Sequence, residues 1–336
     1  MSGLPSADNE VQSVVVEAPA RLHLGFMDLN GATGRRFGSL GLTLEGFSTR
    51  IYAERAEMFS VEGAQTQRAM RVLRRLHERL ELRGAVRMAV VQAIPEHTGL
   101  GSGTQLAIAA GIAVARLFQL NLSAREIAAL LDRGSRSGIG IGAFDQGGFL
   151  IDGGRGKSEE PPRITSRITF PSQWRILLIF DLRAQGLHGA DEDRVFGALP
   201  QFPEASAAHL CRLVLMHLMP ALVEADVREF GNAVSEVQRV VGDHFAPAQG
   251  GRFASRKVSE VLGWLEGQGV NCIGQSSWGP TGFAVVDSEI RAGTLLRELE
   301  AHWGADSALR FKICAARNRG GEVLLQQRSI KTGTIY

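Results

Sequence analysis

Along this chain, short apolar runs and helical stripes alternate, with glycine-rich stretches between them. Val11–Val16, Leu40–Leu44, Thr49–Ala53 and Val86–Ile94 read as strands. Thr66–Leu82 places Met70, Leu73, Leu76 and Leu80 at helical spacing, the pattern of an amphipathic helix with one buried face. The Ala-rich run 106–118 is a strong helix former. Ser123-Ala-Arg-Glu126 is a capping box that opens a helix ending near Gly134. Residues 138–154 read as a glycine-dense loop and turn region around a strand-like Gly148–Ile151. The charged, proline-containing stretch Lys157–Arg163 resembles a linker and sets an expected domain boundary between 1–160 and 161–336. Beyond it, Trp174–Asp181 reads as a buried strand. Helices are expected over Ala205–Glu224, Val227–Val241, Arg256–Gly267 and Ser288–His302, and strands over Gly282–Val286 and Leu309–Ala315. The order is that of an α+β protein without repeats.

Composition narrows the classes. At 336 residues, 44% hydrophobic and 21% charged, the chain is long enough for two domains and has an ordinary globular balance. A net charge of +2 argues against a dedicated nucleic-acid binder. The densest basic group, Arg68, Arg71, Arg74, Arg75 and Arg79, fits a solvated helix face. Cys211, Cys272 and Cys314 are far apart and odd in number, so each reads as a buried small hydrophobe rather than part of a disulfide or zinc set. Residues 1–12 lack the apolar core of a signal peptide, and no window approaches 18 uninterrupted apolar residues. A cytoplasmic protein is expected.

The chemistry is concentrated in Ile94-Pro-Glu-His-Thr-Gly99-Leu-Gly101-Ser-Gly103-Thr-Gln105, which runs directly into the Ala-rich helix. Three alternating glycines let the backbone curl with its N–H groups turned inward. Feeding a helix N-terminus, such a loop aims unpaired donors and the positive dipole end at one point, which suits a phosphate or diphosphate. One glycine would suffice for a tight turn. Ser102 and Thr104 add hydroxyls there. A Walker A loop requires Lys then Ser or Thr after the last glycine, and here Thr104-Gln105 follows. The spacing also differs from the dinucleotide-binding fingerprint, and Glu126 falls in a helix rather than at a strand end.

These residues resemble the phosphate loop of the GHMP kinase superfamily. Ala18-Pro-Ala-Arg21-Leu-His23-Leu-Gly25 is similar to its N-terminal strand signature, and Gly274–Gly282 stands in place of its C-terminal glycine-rich segment. Arg21–Asp28, Ser137–Phe144, Gly147–Gly154 and above all Gln275-Ser-Ser-Trp-Gly-Pro280 resemble one branch, the β-ribofuranosylaminobenzene 5′-phosphate synthases. The likeness extends from about Val14 onward. It implies an S5-like N-terminal domain, a ferredoxin-like C-terminal domain, Mg²⁺ and a homodimer. It also implies transfer of a phosphoribosyl group from 5-phosphoribosyl 1-diphosphate to 4-aminobenzoate or 4-hydroxybenzoate. The phosphate loop alone is equally compatible with an ATP-dependent small-molecule kinase or a non-catalytic regulator of the same superfamily.

Candidate residues follow from both readings. Gly99, Gly101, Ser102, Gly103 and Thr104 form the anion loop. Arg21, an arginine among apolar neighbours, is costly to bury unless paired, which points to anion binding. His23 faces the same side of the strand and either orients substrate or is a satisfied core histidine. Asp28 is a candidate Mg²⁺ ligand or the cap of a turn at Asn30-Gly31. Asp145, followed by Gln146, partly matches the catalytic-base context of superfamily kinases, although extra residues separate it from Ser137-Gly138. Asp152 reads as a turn residue. Gly186–Arg194 concentrates His188 and three acids, with Glu192 the second candidate metal ligand. Ser277 joins the catalytic set, and Trp278 either stacks on the aromatic substrate or packs in the core.

Overall fold

A computed structural model describes residues 11–158, 160–186 and 190–327, with side chains throughout except at 190–193. Two antiparallel hairpin strands of unusual length dominate it: β1 (Val11–Asp28) and β2 (Phe37–Ala56). They form the centre of a seven-stranded sheet with β3 (Ser60–Gly63), β4 (Ala85–Gln92), β5 (Phe149–Asp152), β6 (Ile164–Ile168) and β11 (Glu322–Gln327). The distal half of β2 pairs with β4, while Leu40–Leu42 pairs with β5. β1 continues well past the expected Val16, because bulges at Pro19/Arg21 and His23/Gly25 absorb the residues that break its pattern. The two strands expected at Leu40–Leu44 and Thr49–Ala53 are one strand. Between Thr43 and Ser48 its register slips, and that interruption is what the sequence displays.

Helices α1 (Thr66–Arg79), α2 (Ser102–Leu117) and α3 (Ala124–Leu130) cover this sheet. α2 is almost wholly buried, its alanines letting it lie flat on β1 and β2. The capping box at Ser123 and Glu126 is present in both directions. Ile139–Asp145, read as loop from its glycines, is instead helix α4. Those glycines serve packing: a Cβ on Gly140 would meet Thr104 of α2 at 2.8 Å, and one on Gly142 would meet Ile164 at 2.5 Å.

The second sheet has four strands, β7 (Arg175–Asp181), β8 (Cys272–Gln275), β9 (Gly282–Val286) and β10 (Leu309–Cys314), in the order β10-β7-β9-β8. In chain order that is fourth, first, third, second, the ferredoxin-like arrangement. Its helices are α5 (Ala190–Ala198), α6 (Glu204–Leu213), α7 (Met219–Val223), α8 (Val227–Gln249), α9 (Arg256–Gly267) and α10 (Glu289–Trp303). A π turn at Val214–Leu218 joins α6 to α7. Together these form one apolar helix, Glu204–Val223, long enough to cross a membrane. Here its Leu210, Val214, Leu218 and Leu222 lie in the core shared by the two sheets. Cys211, expected buried, lies on its exposed face, whereas Cys272 and Cys314 are buried.

The boundary expected at 160/161 does not separate the sheets. β6 begins at Ile164 and pairs with β5, and β11 returns from the end of the second sheet to pair with β1. Arg317 anchors that return. It is buried and ion-paired with Glu17, Glu45 and Glu322 at 2.9–3.2 Å.

Candidate active site

The phosphate loop leaves β4, passes Pro95–Leu100, and enters α2 with Gly101 as its N-cap at φ 88°. No side chain caps this helix start, so the first-turn N–H groups at Ser102, Gly103 and Thr104 remain available to an anion. Arg21 lies beneath the loop: its backbone N–H donates to Leu100 O at 3.1 Å and its guanidinium Nη1 donates to Gly99 O. Two more arginines, Arg68 from α1 and Arg133 from the turn after α3, line the same cleft, with Thr104, Ser277 and Trp278.

The segment after β8 closes the cleft. Ser276 Oγ accepts the His23 N–H at 3.0 Å and donates to Gly99 O at 2.9 Å, so one buried hydroxyl ties β1 to the phosphate loop. Ser277 N–H donates to His23 O at 3.1 Å, and Ser277 adopts φ 54°, a strained conformation for a residue with a Cβ. Gly99 and Gly279 meet backbone to backbone, since a Cβ on Gly279 would lie 2.4 Å from the Gly99 Cα. Gly186, just past β7, docks on the same junction through its N–H to His97 O at 3.2 Å.

Ser277 and Trp278 also wall a second, more apolar cavity, lined by His23, Phe26, Phe245 and Gln275 among others. Trp278 is 4% exposed, and its ring centroid is 4.2 Å from Phe245 and 5.5 Å from Phe196. Its Nε1 and the Nε2 of His23 are buried without a hydrogen-bond partner among the described residues. Burial, reinforced by the nearby Arg21 charge, lowers the His23 pKa to about 3, so the imidazole is neutral at physiological pH. The protein therefore sets a strongly cationic, donor-rich pocket beside an aromatic one, with β1 and the Ser276–Gly279 loop shared between them.

The structure thus gathers Arg21, His23, Gly99, Gly101, Ser102, Gly103, Thr104, Ser277 and Trp278 around two adjoining cavities. Other candidates lie away from these cavities or take the structural one of their two expected roles. Asp28 does not face this cleft as a metal ligand: its Oδ1 accepts the N–H groups of Asn30 and Gly31, both at 2.8 Å, and so caps a turn. Asp145 ends α4 as an exposed residue against Gly320, outside the residues that line either cavity, because the helix absorbs the extra residues after Ser137. Asp152 is a buried clamp for the N–H groups of Ser39, Gly138 and Gly154 at 2.8–3.0 Å. His188 and Glu192 lie outside the residues whose side chains are described. Among the described residues no group of three His, Cys, Asp or Glu is placed to hold a metal ion.

Arg68 and Arg133 were missed. Arg68 shares a helix with solvated arginines, and helical spacing does not reveal that this one end of α1 abuts the phosphate loop. Nothing local marks Arg133.

The fold and the uncapped glycine loop define the GHMP class. Its N-terminal domain model matches residues 67–153 and its C-terminal domain model residues 218–305. The homoserine kinase of Cytophaga hutchinsonii superposes with a TM-score of 0.67 at 17% identity, covering 96% of this chain and 100% of that one. The mevalonate diphosphate decarboxylase of Staphylococcus aureus gives 0.65 at 14%, with 94% and 98% covered. At such identities these likenesses concern the fold. Sequence similarity is more specific: the β-ribofuranosylphenol 5′-phosphate synthase of Archaeoglobus fulgidus is 34% identical over 92% of this chain and 98% of its own. The synthase of the same name from Methanothermobacter thermautotrophicus is 28% identical, again over 92% and 98%. The chain belongs to this enzyme family within the GHMP superfamily.

Proposed function

We propose that this enzyme transfers the 5-phosphoribosyl group of 5-phosphoribosyl 1-diphosphate to the carboxylate-bearing ring carbon of a para-substituted benzoate, releasing diphosphate and CO₂. The observation that carries this reading is the pairing of the cationic cleft with the aromatic cavity across Ser277 and Trp278. A kinase must place a hydroxyl beside a terminal phosphate, whereas an aromatic-walled cavity beside the anion loop suits an arene.

In the reaction, the bond between the anomeric carbon and the diphosphate oxygen breaks, and the oxygen keeps the electron pair. The charge that develops there faces Arg21 and the first-turn N–H groups of α2, donors already in place before reaction. The ring carbon attacks the anomeric carbon, and the new C–C bond makes the ring cationic. Loss of CO₂ breaks the bond between that ring carbon and the carboxylate, returns its electron pair to the ring and restores aromaticity. No side chain has to remove a proton from carbon. Neutral His23 and the Trp278 ring flank the acceptor side of the site, where a charged imidazolium would repel the cationic ring.

Of the two acceptors, 4-hydroxybenzoate accounts for the phenol in the names of the relatives, and 4-aminobenzoate would give the aniline counterpart. Either product serves the making of methanopterin-type one-carbon carriers. Mg²⁺ bound with the diphosphate, and a homodimer, complete the proposal. The test is incubation with 5-phosphoribosyl 1-diphosphate and each benzoate in Mg²⁺ buffer without nucleotide. CO₂ and diphosphate should appear in equal amounts. ATP-dependent phosphorylation of a small alcohol instead would overturn the reading.

A further inference from the structure

Arg133 owes its position to the way α3 ends. Asp132 adopts φ 51°, its N–H bonds Ala129 O at 3.2 Å, and the Arg133 N–H reaches Ala128 O at 2.7 Å. This paired C-terminal motif reverses the chain and carries residue 133 back toward α2. The Asp132 carboxylate is ion-paired with Arg75 and Arg79 of α1, so the adjacent acid is already committed elsewhere. Arg133 Nη1 lies 3.7 Å, and Arg68 Nη2 2.3 Å, from the point a Cβ on Gly103 would occupy. The two guanidinium groups therefore converge on the first turn of α2, beside Gly103.

Neither cation is well compensated. Arg133 Nε is buried with no hydrogen-bond partner among the described residues. Burial, then the charges of Arg68 and Arg75, push its pKa down. Arg68 reaches Glu96 only at 3.4 Å and Ser102 Oγ at 3.5 Å, and Glu96 is 40% exposed. Holding like charges together while withdrawing them from water is unfavourable unless an anion joins them.

We propose that Arg68 and Arg133 form a second anion subsite at the Gly103 end of the phosphate loop, which takes the terminal phosphate and so selects a diphosphate over a monophosphate. This inference rests on the transfer reading. Arg21 serves the Gly99–Gly101 end, next to His23 and Ser277 and hence to the acceptor cavity, so the phosphate attached to the ribose belongs there. The terminal phosphate then extends to Gly103, where two planar guanidinium groups match its oxygens. The subsite also stabilises the charge that the leaving diphosphate gains.

Calorimetric titration with inorganic diphosphate, inorganic phosphate and 5-phosphoribosyl 1-diphosphate, each separately, tests this on wild type, Arg133→Gln and Arg133→Lys, with a melting curve for each. Arg133→Gln should weaken diphosphate binding about tenfold, the loss of one charge-assisted pair, and change phosphate binding less than about twofold. The lysine variant should fall between. A folded Arg133→Gln that binds diphosphate like wild type, or loses both anions equally, overturns the subsite. Should Arg133→Gln fail to fold, Arg68→Gln gives the same comparison with the same two outcomes. Wild type that binds neither diphosphate nor 5-phosphoribosyl 1-diphosphate contradicts the transfer reading itself, which separates the two failures.

Discussion

His23 illustrates how much one buried group can couple. Its backbone is bonded to both Ser276 and Ser277, while its ring packs on Phe26 and stays neutral at the edge of the aromatic cavity. Its pKa is lowered from 6.5 to about 3, so below about pH 6.5 the unfolded chain takes up a proton that the native state refuses. Stability from this group is complete above that pH and is lost as pH falls toward 3, by up to about 1.4 kcal/mol per pH unit. Comparing the acid side of the stability curve for wild type and His23→Gln should show the shallower slope in the variant. Identical slopes would mean the native imidazole protonates freely. Trp278 belongs to cavity and core at once, being 4% exposed and packed on Phe245 while lining both cavities. The alternatives of stacking and packing posed by the sequence are therefore not exclusive. Trp278→Ala should cost about 3–5 kcal/mol of stability and weaken apparent benzoate affinity by about tenfold, with the Michaelis constant for 5-phosphoribosyl 1-diphosphate moving little. Unchanged constants for both substrates in a folded variant would remove the ring from the site.

At the level of elements, what the sequence showed and what it hid have separate physical causes. The capping box at Ser123, the apolar stripe of Thr66–Arg79 and the buried run of β7 were legible because their signals are local. α4 was hidden because Gly140 and Gly142 are there to admit Thr104 and Ile164, contacts made by distant residues. β11 was hidden because its pattern is mostly exposed and its partner, β1, lies at the other end of the chain. In the site, the glycine loop announced itself, while Arg133 depends on a helix ending and on Asp132 being held by α1. The element that most directly joins these parts is the loop after β8, through Ser276 Oγ. Ser276→Ala leaves the His23 N–H and one acceptor of Gly99 buried without that partner, at a cost of about 1–3 kcal/mol. A lower melting temperature together with a raised Michaelis constant for 5-phosphoribosyl 1-diphosphate is expected. A variant with normal stability and kinetics would show that the hydroxyl does not fix the loop.

For the whole molecule, the position of the site follows from how the two sheets meet. One core contains Leu22 and Leu24 of β1, Leu178 of β7, Phe230 of α8 and Trp278, so the first signature strand and the C-terminal loop are parts of one packed body. Where that core reaches the surface, its aromatic side chains wall the second cavity and the phosphate loop supplies the first. The account therefore stands on a single chemical claim: the arene and the anomeric carbon meet across Ser277 and Trp278, and the carboxylate-bearing ring carbon is the atom that bonds. The direct measurement is carbon NMR of the product from 4-hydroxybenzoate labelled with ¹³C at that ring carbon. The account predicts a labelled carbon coupled to the anomeric carbon of the ribose, with unlabelled CO₂ released. A label with no coupling to the ribose, in an O-linked product that retains its carboxylate, would contradict it.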